Sequence, residues 1–281
     1  YKRQVWNQPW GENKVVRENY REMAVNMADS TSKLTIRFRV FDDGMAFRYE
    51  WKVDGVDTIA VTDELTEFNF AVNGTSWSIP GNFETYELEY RNLALTDVED
   101  ANTPFTFRTE TGVYGSIHEA ALYDYPEMTL KRSPEGGLKA SLAPLPNGVK
   151  AYVGPQFVTP WRTIQIGKSA VNLINSNLIV NLNEPSRIKD TSWIKPQKYV
   201  GIWWGMHLGT QTWTVGPRHG ATTANAIKYI DFAKANNLQG VLFEGWNKGW
   251  ENWGGNQSFD YVGAASDFDI DSVASYARAN G

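Results

Sequence analysis

Residues 34–53, LTIRFRVFDDGMAFRYEWKV, alternate apolar and polar positions with a period of two. Leu34, Ile36, Phe38 and Val40 point one way, and Thr35, Arg37 and Arg39 the other. After Asp43-Gly44 the alternation resumes with Phe47, Tyr49, Trp51 and Val53. Two such runs joined at Asp-Gly predict a β-hairpin with one buried face. Further strand-like runs follow: TEFNFAV, PFTFRTE, VYGSIHEAAL, LKASLAP and SNLIVNL, punctuated by Gly, Pro, Asn and Asp. With no long amphipathic helix between them, residues 1–185 read as an antiparallel β-sandwich of many strands.

The period changes after Pro185. YVGIWWG (199–205) is a continuous apolar run, expected for a strand covered on both faces. ATTANAIKYIDFAKANN then has helical spacing, with Thr222 or Thr223 as its cap and Ala226, Ile230 and Ala233 as its apolar stripe. Gly240 opens a second short run, Val241-Leu242-Phe243. Asp269 is placed to cap a second helix, and Gly281 stands where a terminating glycine belongs. The order β-loop-α-β-loop-α is the opening of a parallel α/β domain. A closed (β/α)8 barrel takes eight strands and roughly 250 residues, so the expectation is a truncated barrel of two units. The predicted organisation is a sandwich over 1–185, a linker over 186–198 and the first two barrel units over 199–281.

Composition narrows the function. The net charge is −5 with no basic cluster, which argues against a nucleic-acid surface. The absence of cysteine excludes disulfides, thiolate metal sites and thiol nucleophiles. No apolar run approaches the roughly 20 residues of a membrane helix. The chain opens at Tyr1 in polar sequence, without a leader to read. Twelve Trp, 13 Tyr and 13 Phe fit either a β-rich core or rings that stack on sugars, and composition does not choose between them.

Position is more informative. Barrel active sites lie at the C-terminal ends of the strands, which brings two loops into view. One begins at Trp203-Trp204 and runs through His207, Gln211, Trp213, Arg218 and His219. The other, EGWNKGWENW, runs from Glu244 through Trp246 and Trp250 to Trp253. Flat rings and carboxylates suit a sugar, which offers apolar C–H faces and a rim of hydroxyls. Equally, Glu244 can cap its loop or pair with an arginine, the tryptophans can pack loops onto the barrel, and either histidine can be structural.

A second cluster is SIHEAALYDYPEM (116–128). It is not H-E-x-x-H, because position 122 is leucine, so the zinc-protease reading fails. Glu119, on an otherwise apolar strand, is either paired or bound to a hard cation. No dinucleotide fingerprint, phosphate-binding P-loop or nucleophile elbow is present.

FRVFDDGMAFRYE, SIHEAALYDYPEM, SWIKPQKYVGIWWGMHLG, RHGATTANAIKYIDFA and VLFEGWNKGWENW together resemble glycoside hydrolase family 97, along nearly the whole chain. The resemblance implies an N-terminal β-super-sandwich, a linker, a (β/α)8 catalytic barrel and a C-terminal β-domain. It implies α-glucosidase or α-galactosidase activity on an oligosaccharide or α-glycoside, with two carboxyl groups flanking the scissile bond. Those carboxylates are expected beyond residue 281, and a periplasmic or secreted location is implied. It also implies an active-site calcium bound by glutamates, one of which matches Glu119. Trp204, His207, Glu244 and Trp246 are the expected substrate-binding residues. Gly205-Met206-His207 stands where starch-type members carry a glutamate after the paired tryptophans, which leaves α-galactosidase open beside the slightly favoured α-glucosidase. A non-catalytic carbohydrate-binding or scaffold protein is the alternative of another class, and the βα units argue against it.

Overall fold

The computed structural model describes residues 1–252 and 259–281. The chain divides into two compact units, Tyr1–Lys189 and Asp190–Gly281.

The first unit is all antiparallel. Its strands are β1 (Lys2–Asn7), β2 (Val15–Ala28), β3 (Ser32–Phe41), β4 (Gly44–Val53), β5 (Ile59–Val61), β6 (Glu67–Phe68), β7 (Gly74–Ser78), β8 (Arg91–Ala94), β9 (Asp100–Asn102), β10 (Phe105–Thr109), β11 (Tyr114–Ala120), β12 (Met128–Arg132), β13 (Leu138–Leu142), β14 (Ala151–Val153), β15 (Gln156–Val158) and β16 (Trp161–Gly167). A large sheet runs β1-β2-β3-β4-β16-β11-β10-β7-β8, with β15 also on β4. A smaller sheet runs β6-β13-β12-β9, and β14 pairs with β5. Alternate residues of the two sheets, among them Phe105, Phe107, Ile117, Leu130, Leu138 and Leu142, interleave into one core. That is the expected consequence of period-two strands each hiding one face.

The hairpin over 34–53 forms as its alternation requires, with Phe41 opposite Gly44 at the turn. Its polar face is less open than alternation alone suggests. Arg37 bonds Glu22 and Glu50, both at 2.7 Å, and Arg39 bonds Glu22 at 2.9 Å. Arg39 and Arg48 also lie over the Trp161 ring, at 4.7 and 4.4 Å from its centroid. Guanidinium groups cover an indole well because they are planar and weakly hydrated.

SNLIVNL is not a strand. Two short helices, α1 (Ala170–Ile174) and α2 (Leu178–Asn181), occupy this region. Leu178 and Leu182, four apart, are both buried against Tyr20, Phe41 and Trp161. Asp43 holds the entry to α2 by accepting from the Ser176 hydroxyl at 2.7 Å and the Asn177 backbone N–H at 3.2 Å. Asn181 bridges Trp6 Nε1 and the Arg17 carbonyl, each at 2.9 Å. A short apolar run fits either period, and here tertiary contacts select the helix.

In the second unit, β17 (Tyr199–Gly201) pairs in parallel with β18 (Gly240–Leu242), the predicted direction. The first strand is shorter than YVGIWWG predicts. Its two tryptophans belong instead to a helical turn, α3 (Trp203–His207), and both are exposed rather than covered. α4 (Thr223–Ala235) is capped by Thr222, whose hydroxyl accepts from Asn225 N–H at 3.2 Å, and it buries Ala226, Ile230 and Ala233. α5 (Ile270–Asn280) is capped by Asp269, which accepts from Ser272 N–H at 3.0 Å, and it ends at Gly281 with φ +85°. These caps satisfy backbone N–H groups that have no partner within their helices.

Candidate functional site

Glu119 is the penultimate residue of β11, and only 8% of it is exposed. Its register partner is Arg162 on β16, fully buried. Arg162 donates from Nη1 to Glu119 Oε2 at 2.6 Å. Its Nε and Nη2 grip Glu64 Oε1 and Oε2 at 2.7 and 2.6 Å. The other Glu119 oxygen accepts from Met128 N–H at 3.1 Å. Thr66 donates to Glu64 at 2.8 Å, and the Tyr125 hydroxyl donates to it at 3.3 Å. Two carboxylates thus share one guanidinium, leaving a surplus negative charge in a buried site. Burial pushes Glu119 above the usual carboxylate range, and the facing Arg162 opposes this only in part. Burial also works against the Arg162 charge, but its bonds to Glu64 and its pairing with Glu119 outweigh that and hold it protonated.

Of the two sequence readings of Glu119, the paired one describes what its side chain does within this unit. Among the described residues no group of three or more His, Asp or Glu side chains is arranged to hold a metal. Calcium takes six to eight oxygens, so Glu119 by itself does not make such a site. Glu64 and Arg162 were not singled out by sequence. The available signal was a charge inside the apolar strand WRTIQI, since a buried arginine demands carboxylate partners. Above the ion pairs, Tyr49, Trp51, Tyr125 and Glu64 line a mostly apolar groove of about 470 Å³.

The strand ends of the second unit carry the other candidates. Trp203 and Trp204 are 47% and 58% exposed on α3. His207, one turn on, stacks on Trp203 at 4.8 Å and lies tilted against Trp204 at 4.9 Å between ring centroids. The helical turn therefore gathers Trp204 and His207 into one open aromatic surface. Glu244 follows β18 by two residues and is half-buried. Among the described residues its carboxylate has neither a hydrogen bond nor an ion pair, so the capping and arginine-pairing readings find no support. Gly245, at φ +79°, turns the chain beside it; a Cβ there would sit 2.7 Å from the Trp213 ring. Trp213 packs on Trp250 at 5.6 Å. Trp246 is half-buried against Phe268 at 5.8 Å, and Phe268 also meets Phe243. Trp246 is thus partly committed to packing. Trp253 lies outside the described residues.

Sequence also left the partner of His219 unnamed. It is Asp267, which accepts from Nδ1 at 2.8 Å. Asp267 also uses its carbonyl to accept from Thr223 N–H at 3.0 Å, so the segment before α5 is clasped to the start of α4.

A β-sandwich unit followed by parallel βα units, with rings and a carboxylate unpaired among the described residues at the strand ends, is the arrangement expected of a glycoside hydrolase. The model for the glycosyl-hydrolase 97 N-terminal domain matches residues 1–185, and that for glycoside hydrolase 97 matches residues 203–281. The chain belongs to glycoside hydrolase family 97. A retaining α-galactosidase of Bacteroides thetaiotaomicron is 26% identical over 87% of this chain and 40% of its own length. A family 97 enzyme from Pseudoalteromonas sp. strain K8 superposes over the whole chain and 44% of its own. A variant of it gives a TM-score of 0.91 at 44% identity. Its complex with acarbose gives 0.90 at 43%, and a variant in complex with panose 0.89 at 43%. The chain thus spans less than half the length of these relatives.

Proposed function

We propose that this chain is part of an α-glycosidase that removes terminal α-linked sugars, with α-glucosides preferred over α-galactosides. One observation carries the preference. The relative that matches the whole chain at 43% identity is solved in complex with acarbose and, as a variant, in complex with panose, a trisaccharide of α-linked glucose. The α-galactosidase relative stands at 26%.

Within that reading, Trp204 and His207 offer ring faces to the C–H side of a sugar. Glu244, free of partners among the described residues, accepts from its hydroxyls, and the Trp246 edge bounds the same rim. An ionised acceptor makes stronger hydrogen bonds than a neutral one, which suits Glu244 to orienting a hydroxyl. The bond-breaking carboxyl pair is assigned to no residue of this chain.

Calcium is proposed for the full-length enzyme, with Glu119 as one ligand among carboxylates supplied from outside residues 1–281. Each Glu119 oxygen spends one lone pair on its partner here, Arg162 or Met128, and keeps a second. The surplus negative charge of the Glu64–Arg162–Glu119 group favours a cation beside it. The function is tested by comparing hydrolysis of aryl α-glucoside and aryl α-galactoside by the full-length protein. No turnover of either removes the reading.

A further inference from the structure

Strands β2, β3 and β4 carry two unlike faces, since opposite residues of an antiparallel pair share a face. Glu22, Arg37, Arg39 and Glu50 form the charged one, closed by its own ion pairs. On the other face the register sets Met23, Phe38 and Phe47 in one row. Val25, Ile36 and Tyr49 form the next, and Met27, Leu34 and Trp51 a third. Phe47 packs into the core between the two sheets, so this is the core face of the large sheet. Toward β2 the core stops but the face stays apolar. Met23, Val25 and Met27 are 57%, 40% and 44% exposed, and Val40 is 52% exposed. At Leu34, Tyr49 and Trp51 the face runs into the apolar groove that Ile59 and Val61 also line.

The same half of β2 lacks an edge partner. β1 pairs with residues 15–20 of β2, and among the described residues no strand lies on the outer edge of residues 21–28. An open apolar sheet face is one side of an incomplete sandwich, and an unpaired edge beside it is a template for another strand. The three rows do not suit a sugar. Their Tyr49 hydroxyl is already bonded to Thr66, and the Trp51 Nε1 is buried. The occupant that fits is a strand whose apolar side chains alternate.

The register at β1 selects its source. Lys2 stands opposite Tyr20, so Tyr1 lies beside Arg21, where the open edge begins. Polypeptide running into Tyr1 in line with β1 meets that edge directly. The Pseudoalteromonas relative has residues to supply such a segment, since this chain covers 44% of its length. We propose that in the full-length protein the segment preceding Tyr1 extends β1 along residues 21–28 and lays a further strand over Met23, Val25 and Met27.

The test uses full-length protein in which methionine is replaced by its photoreactive diazirine analogue, which is close to it in shape. Light cross-links Met23 and Met27 to what lies on them, and mass spectrometry identifies the joined peptides. Oxidation of the unlabelled protein by hydrogen peroxide gives a second reading. Met23 and Met27 are expected to cross-link within one chain to a peptide that precedes Tyr1. They are also expected to oxidise as slowly as Met128, which is 2% exposed. Cross-links to residues after Gly281 or to a second copy would overturn the proposal. So would oxidation of Met23 and Met27 as fast as free methionine, which decides the matter if no cross-link forms.

Discussion

Arg162→Met is the most revealing single change to the first unit. It removes three hydrogen bonds of 2.6–2.7 Å and the only cation bonded to Glu64 and Glu119 among the described residues. Both carboxylates stay buried, at 6% and 8% exposure. Breaking a buried ion pair from one side costs about 3–5 kcal/mol, chiefly because the remaining charge is uncompensated. Glu119→Gln is gentler. Arg162 and Glu64 then form a neutral pair, and the glutamine oxygen serves one of the two donors that Glu119 served. Losing the other is worth about 1–2 kcal/mol. For a unit of this size each kcal/mol moves Tm by about 2–4 °C. The expected drops are therefore about 6–20 °C for Arg162→Met and about 2–8 °C for Glu119→Gln. Thermal unfolding followed by tryptophan fluorescence measures both. A Glu119→Gln cost equal to or above that of Arg162→Met would refute the reasoning. The pH dependence has a definite sign. An acid whose folded pKa is raised binds its proton more tightly folded than unfolded. Its contribution is present below the ordinary value of 4.5 and lost as pH rises through the folded value. The stability advantage of wild type over Glu119→Gln should thus shrink as pH rises above about 4.5.

Two further outcomes follow from the site assignments. Glu244→Gln should lower kcat/KM on an aryl α-glycoside by about 10- to 100-fold, the worth of a charge-assisted hydrogen bond, with Tm nearly unchanged; lost stability with full activity per folded molecule would make Glu244 structural. Glu119→Gln should weaken calcium binding to the full-length enzyme in calorimetric titration, and unchanged affinity would leave Glu119 solely a partner of Arg162.

The strands were legible where alternation was long. The hairpin of β3 and β4, and the run that became β11, follow from period two alone. The helices were legible because Thr222 and Asp269 announce their own caps, and Ala226, Ile230 and Ala233 keep one face. Short apolar runs were not legible. SNLIVNL became α2 because Asp43, far away in sequence, holds its entry and Tyr20 and Trp161 receive its leucines. IWWG turned into α3 after three residues of strand, a choice no local pattern records. The site divided in the same way. Glu244 and Trp246 could be placed because a strand end is a position in sequence. Arg162, Glu64 and Asp267 could not be matched to Glu119 and His219, since those partners meet only through long-range pairing. The β11–β16 register brings Arg162 opposite Glu119, and the clasp before α5 brings Asp267 to His219.

The central claim is an α-glycosidase that prefers glucosides, and a comparison of the two aryl glycosides as substrates tests it most directly. Full-length protein, incubated with equal concentrations of p-nitrophenyl α-glucoside and α-galactoside in separate assays, is expected to release nitrophenol from both or from the glucoside alone, with the higher kcat/KM on the glucoside. On panose it should liberate free glucose. A higher kcat/KM on the galactoside would contradict the preference, and no release from either substrate or from panose would contradict the account as a whole.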